Sequence, residues 1–158
     1  MSNAAEAHEK LSALIGVDPG PGEWFVVDQE RIDAFADATL DHQFIHVDVE
    51  RATNETPFGG TIAHGFLTLS LMVHLVTSVP AEMPKLDGVV MGINYGLNKV
   101  RFLNPVPAGA RVRARAVVSG VELKGTAIDM TRTITVELDG SDKPALVAEW
   151  IGRTVFDS

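Results

Sequence analysis

Two short segments carry the residue types that can handle a proton and a developing negative charge. The first is Asp41-His42-Gln43-Phe44-Ile45-His46, on what reads as an irregular connection between helices. An Asp and a His five residues apart on such backbone can converge on one water, the carboxylate acting as base while the imidazole orients the water or shares its proton. The competing account of the same residues is structural: Asp41 caps a turn and His46 is a satisfied, half-buried side chain. The second segment is Gly59-Gly60-Thr61-Ile62-Ala63-His64-Gly65, which enters an apolar helix. Glycine lets a ligand approach the backbone, and the first turn of a helix offers free N–H groups at the positive end of its dipole. That is a place to stabilise an oxyanion. A glycine there also serves as a plain packing residue, so the segment alone does not decide between the two.

A third feature is a charge asymmetry. The 158 residues hold 13 Lys and Arg against 21 Asp and Glu, a net charge of −8 that opposes sequence-independent binding to nucleic acid. Between Asp87 and Glu122, however, Lys99, Arg101, Arg111, Arg113 and Arg115 stand with no acid among them, a local charge of +5. Arg111, Arg113 and Arg115 alternate along a strand and share one face, opposite Val112, Ala114 and Ala116. Such a patch suits a phosphorylated small ligand, or is simply a solvated strand face.

Other chemistries lack their residues. The absence of cysteine removes disulfides, thiol nucleophiles and thiolate metal sites, and fits a reducing, cytoplasmic setting. There is no HExxH, no G-x-S-x-G, no Walker loop and no G-x-G-x-x-G, so metalloprotease, α/β-hydrolase, P-loop and dinucleotide readings have no support. His42, His46, His64 and His74 have spacings that fit no usual ligand pair, and no metal is expected.

These segments need elements to hold them. Hydrophobic content of 46% with 22% charged residues is ordinary for a globular chain, and the length fits a single domain. Residues 1–20 read as an N-terminal extension with a short leading helix, closed by the turn cluster Asp18-Pro19-Gly20-Pro21-Gly22, and residues 21–158 as the domain. The leading residues carry Glu6 and Glu9 and no basic segment, unlike a signal peptide. A strand is expected at residues 23–27. Asp28 is expected to cap a helix ending near Thr39, and Asp48 a short one through Ala52.

The stretch Thr61 to Val79 is the longest apolar run, a little short for a membrane span and interrupted by His64, Thr68, Ser70 and His74. It reads as a helix from about Ala63 to Pro80, apolar on nearly every side and therefore wrapped by other structure. Residues 88–103, 111–122, 126–138 and 145–156 read as four long strands. In the third, Ile128, Met130, Ile134, Val136 and Leu138 alternate with polar residues. The plan is α+β, a long antiparallel sheet curled around one buried helix.

Taken together, FADATLDHQFIHVD, FGGTIAHGFLTLSL and GINYGLNKVRFLNPVPAG resemble the MaoC-like dehydratases, the (R)-specific enoyl-CoA hydratases of single hot-dog fold, over residues from about 23 to 156. The resemblance implies hydration of a trans-2-enoyl thioester, or the reverse dehydration, with Asp41 and His46 as catalytic residues and the Gly65 N–H as oxyanion donor. Gln43, His64, Lys99 and Arg101 are expected to bind substrate, with Lys99 and Arg101 or the Arg111 row receiving CoA phosphates. Gln43 and Phe44 stand where the common family motif has Asn and Pro. No cofactor beyond the CoA or acyl-carrier-protein thioester itself is implied, and the family's habit of pairing sheets edge to edge implies a homodimer, with neither nucleic acid nor membrane as partner. Phe66, Leu69, Val73, Met91 and Tyr95 line either an acyl tunnel or ordinary core. The rival functions are a hot-dog acyl-CoA thioesterase, in which an acid activates water against the carbonyl, and a non-catalytic acyl-thioester binding protein.

Overall fold

The computed structural model describes residues 2–157, so Met1 of the expected extension and Ser158 of the expected domain lie outside it. Five strands, β1 (Phe25–Val27), β2 (Val89–Phe102), β3 (Ala110–Lys124), β4 (Ala127–Leu138) and β5 (Leu146–Phe156), form one antiparallel sheet in the order β1-β3-β4-β5-β2. The four long strands fall within two residues of their expected limits. Their alternation is what fixes them: Leu146, Ala148 and Trp150 of β5 and Ile134, Val136 and Leu138 of β4 are buried, with the residues between them half-buried.

The helices are α1 (Asn3–Ser12), α2 (Gln29–Thr39), α3 (Phe44–Val47), α4 (Val49–Glu55) and α5 (Gly65–Leu75). Asp28 and Asp48 cap α2 and α4, their carboxylates accepting from the Arg31 and Arg51 N–H at 2.9 and 3.0 Å. Leu67, Leu71, Met72 and Leu75 of α5 pack with Ile32, Val112, Ala114, Ile134, Val136, Leu146 and Ala148 in the main core. Each fully buried side chain of this size contributes about 1.5–3 kcal/mol, which seats α5 firmly against the sheet. The leading segment is docked rather than trailing: Ala4, Ala7 and Leu11 of α1 form a second core cluster with Ile128 and Phe156.

Three expectations are corrected. The central helix is shorter than residues 63–80, because residues 61–63 are drawn into extended pairing and a 3-10 turn, Val76–Ser78, follows Leu75. The connection around His46 is not wholly irregular, since Phe44–Val47 makes one helical turn. And α5 is not wrapped all round: Phe66 is 67% exposed and Val73 54%. Phe66 meets Phe102 of β2 edge to face, with ring centroids 5.9 Å apart, so the open side of the helix continues onto β2. There Val89, Val90, Met91, Ile93, Tyr95 and Leu97 are all exposed along the outermost strand of the sheet. No helix among the described residues is long and apolar enough to cross a membrane.

Candidate active site

The chain reaches Asp41 through an unusual corner. Leu40, the C-cap of α2, lies in the left-handed region at φ 62° and ψ 23°, a conformation that disfavours a residue with a side chain and reverses the chain directly before Asp41. Six residues on, His46 occupies the single turn α3, and its position is set from three sides. Gln29, the first residue of α2, donates from Nε2 to the His46 carbonyl at 2.7 Å, while its Oε1 accepts from the Thr61 hydroxyl. The Ile62 N–H donates to the Ile45 carbonyl at 3.0 Å. The imidazole Nδ1 lies 2.7 Å from the Ile62 carbonyl oxygen. On its other side the 61–63 segment is tied to the turn after β2 by Ala63 N–H to the Val106 carbonyl and Ala108 N–H to the Thr61 carbonyl. The start of α5 is thereby delivered beside α3.

A carbonyl oxygen can only accept, so the bond to Ile62 places the proton of a neutral His46 on Nδ1 and leaves Nε2 bare. Burial lowers the His46 pKa below its ordinary 6.5, outweighing the bond to Ile62, which raises it, and His64 lowers it further. Asp41 is exposed, and a carboxylate oxygen of it lies within 4.8 Å of ring nitrogens of His46 and His64. That spacing is the reach of one bridging water. His46 opens onto a pocket of about 270 Å³ lined also by Gly65, Thr68, Phe102, Asn104 and Ala145.

Gly65 is the first residue of α5, and the N–H groups of a helix's first turn have no partner within the helix. Neither does a side chain cap this end, since His64 at the N-cap makes no capping bond. The absent Cβ matters, because one built on Gly65 would stand 3.0 Å from the Phe102 ring. The pocket therefore has the His46 ring and an uncapped helix start in its wall, with the Asp41 carboxylate within 4.8 Å of a ring nitrogen of His46.

The remaining expected residues fall in different places. His64 is 2% exposed and is not a pocket wall: its Nε2 lies 2.9 Å from the Asp41 carbonyl oxygen and its ring stacks on His46 at 3.8 Å. Gln43 is exposed at the N-cap of α3, with no capping bond from its side chain. Lys99 pairs with Glu149 at 3.0 Å, and Arg101 donates to the Val100 carbonyl; both are exposed. The Arg111 row is neutralised across the sheet, Arg111 by Asp139, and Arg113 and Arg115 by Glu137, with Asp18 also on Arg115. Trp24 lies under Arg111 and Arg113. The row is a paired strand face, and of the two phosphate-binding candidates the sequence offers, Lys99 and Arg101 are the less engaged. His42 pairs with Asp37 at 2.8 Å.

Asp41, His46 and His64 are the group of potential metal donors found among the described residues. The stacked rings argue against a shared ion. Two planes tilted by only 24° cannot both contain an ion about 2.0–2.1 Å from each nitrogen unless a ring turns. Gln29, Thr68 and Asn104 are site residues that spacing did not reveal. Only the position of Gln29 directly after the Asp28 cap marks it in the sequence.

A curled antiparallel sheet on a central helix, with Asp and His beside that helix's first turn, defines a hot-dog protein. The MaoC-like domain family matches residues 10–139, and the chain belongs to it, the family of MaoC-like dehydratases. It is 53% identical over 148 residues to nodulation protein N of Rhizobium leguminosarum bv. viciae, covering 93% of this chain and 90% of that one. It is 50% identical over 151 residues to 3-hydroxyacyl-thioester dehydratase Z of Mycobacterium tuberculosis, covering 95% and 97%. Among solved structures, a monoamine oxidase regulatory protein from Archaeoglobus superposes with a TM-score of 0.76 at 28% identity over 94% of this chain and 95% of that one. The (R)-hydratase of A. caviae superposes with a TM-score of 0.65 at 23% identity, over 84% and 95%, and shows the shared fold.

Proposed function

We propose that the protein is an (R)-specific hydro-lyase, adding water to a trans-2-enoyl-CoA to give the (R)-3-hydroxyacyl-CoA and catalysing the reverse dehydration. The observation that carries this reading is the Asp41 carboxylate within 4.8 Å of a ring nitrogen of His46, an imidazole whose Nδ1 is engaged by Ile62, beside the free N–H of Gly65. Both members of the dyad are acceptors, so a water between them donates one hydrogen to each and turns a lone pair toward the pocket. As that oxygen bonds to C3 of the enoyl group, the dyad takes a proton from it and returns a proton to C2 on the same face. The C2–C3 double bond becomes a single bond, and charge collects on the thioester oxygen until C2 is protonated. The Gly65 N–H and the dipole of α5 stabilise that charge, and a single oxyanion-hole donor can contribute about 2.7–4 kcal/mol. Water and thioester suffice; the chemistry calls on no further cofactor. The dehydratase named among the relatives supports the thioester class.

Incubation with crotonyl-CoA is expected to remove the conjugated enoyl absorbance without releasing free CoA. Release of free CoA would replace hydration with thioester hydrolysis.

His46 must be neutral for its Nε2 to accept. Its lowered pKa places the acid limb of the kcat/KM profile below pH 6.5. The sign for stability follows from the same shift: below pH 6.5 the unfolded chain binds a proton that folded His46 resists. This contribution is neutral above 6.5 and becomes destabilising as pH falls through 6.5 toward the folded pKa. An acid limb at or above pH 6.5, or a melting temperature that gains from protonating His46, would contradict it.

A second copy of the chain is the proposed cover for β2. An exposed 14-residue edge strand with Ile93, Tyr95 and Leu97 bare to solvent is an open template for pairing, and the adjoining Phe66 extends the apolar area. Light scattering is expected to give twice the chain mass, and Ile93→Glu to shift the protein toward the single-chain mass. A wild type that scatters as one chain at micromolar concentration would overturn this part.

A further inference from the structure

His64 is a buried imidazole for which the reaction as derived has no step. Its Nε2 faces the Asp41 carbonyl oxygen at 2.9 Å, which can only accept, so the proton of neutral His64 is on Nε2. Nδ1 is then a bare acceptor, buried and without a hydrogen-bond partner. Such a group costs about 1–3 kcal/mol when left unmatched, and a side chain used only to fill space would not need it. It does not cap α5, although it stands at the N-cap. One face of its ring covers His46, with centroids 3.8 Å apart and planes 24° apart, and Phe35 of α2 packs against it at 4.9 Å. The charged or titratable groups about His46 are His64 and Asp41, and His64 touches both.

Three separate parts of the chain thus meet on this one ring. Asp41 is exposed, and its carboxylate has only a long 3.4 Å bond from the Gln43 N–H. What holds its backbone is therefore the bond from His64. The His46 ring is fixed in its own plane by Ile62 and its backbone is held by Gln29, while His64 stacks on the ring. The residue that follows is Gly65, so a shift of His64 also moves the N–H offered to the substrate oxygen.

We propose that His64 is a positioning residue: by bonding the Asp41 carbonyl and stacking on His46 it sets the carboxylate-to-imidazole spacing that one water bridges. The inference rests on the hydration reading, and its effect belongs in kcat. The water and the oxyanion donor act on the developing transition state rather than on ground-state binding, and a water held off line loses reactivity steeply with small displacements.

His64→Phe separates this role from packing. Phenylalanine keeps a planar ring against His46 and Phe35, removes the unmatched Nδ1 and loses the bond to Asp41. A packing role predicts an unchanged or raised melting temperature with unchanged kinetics. The positioning role predicts a folded variant whose kcat on crotonyl-CoA falls 10- to 100-fold with KM within a factor of two or three. His64→Gln, which offers an amide N–H to the Asp41 carbonyl, is expected to recover part of that kcat, and it carries the test if the Phe variant does not fold. Crystal structures of wild type and variant give a readout independent of turnover: Asp41 is expected to move away from His46 in His64→Phe. If wild type hydrates nothing, the reaction reading fails and these structures still decide the placement of Asp41. Unchanged kcat in a folded His64→Phe, or Asp41 unmoved in its structure, would overturn the inference.

Discussion

Asp41→Asn is expected to lower hydration of crotonyl-CoA by about 10²–10⁴-fold, the range for losing a positioned general acid–base group, while leaving the fold intact. The size follows from the dyad's arrangement. In the proposed reaction the Asp41 carboxylate and a ring nitrogen of neutral His46 give the water two acceptors. An amide at position 41 keeps an acceptor oxygen but no basic carboxylate, and it adds an N–H that competes for the same water. Stability should hardly change. The carboxylate is exposed and its bond to the Gln43 N–H is long, whereas the tether of this segment to His64 uses the backbone carbonyl, which Asn retains. Equal melting temperatures with a collapsed kcat is the expected pair of results. A folded Asp41→Asn within threefold of wild type would show that the carboxylate does no proton work.

The second large effect is expected at Gly65, and it requires two variants. Gly65→Ala adds a Cβ that meets the Phe102 ring at 3.0 Å, so the ring must give way, but the N–H remains. Gly65→Pro adds comparable bulk at that point and removes the N–H. The backbone accepts it: proline is favoured at the first helical position, and His64, at φ −59° and ψ 138°, already has the extended conformation that a residue before proline prefers. The difference between the variants therefore isolates the donor and its site. A loss of about 10²–10³ in kcat for Pro beyond that for Ala is expected from an oxyanion donor. If both variants lose the same, Gly65 acts through close packing against Phe102 alone.

The elements were legible where one face of each is buried and the other is not. The period of two in Ile134, Val136 and Leu138 marks β4, and Asp28 and Asp48 mark helix starts because a carboxylate there meets otherwise unpaired N–H groups. The helix α5 misled in how far it is wrapped, because apolar residues suit both a helix buried on every side and one with an open side. Phe66 and Val73 read the same in either case. Asp41, His46 and Gly65 were legible as candidates because they lie in two short segments, which the sheet and α5 bring together.

Across longer separations the sequence was silent for a physical reason. Arg113 and Glu137 are opposite each other only because β3 and β4 pair in one register, so the row of Arg111, Arg113 and Arg115 became a paired face. His46 and His64 have no helical or strand spacing between them, yet extended residues 61–63 and their bonds to Ile45 and Val106 lay one ring on the other. Gln29 holds the His46 carbonyl from a helix that no motif connects to it.

The most direct measurement is the loss of enoyl absorbance from crotonyl-CoA and from a longer trans-2-enoyl-CoA, with the product coupled to an (R)-specific 3-hydroxyacyl dehydrogenase. The account predicts hydration by wild type, product oxidised by the (R)-specific enzyme, and loss of both signals in folded Asp41→Asn. A well-folded wild type that leaves both enoyl thioesters untouched, or that forms the (S) product, would contradict it.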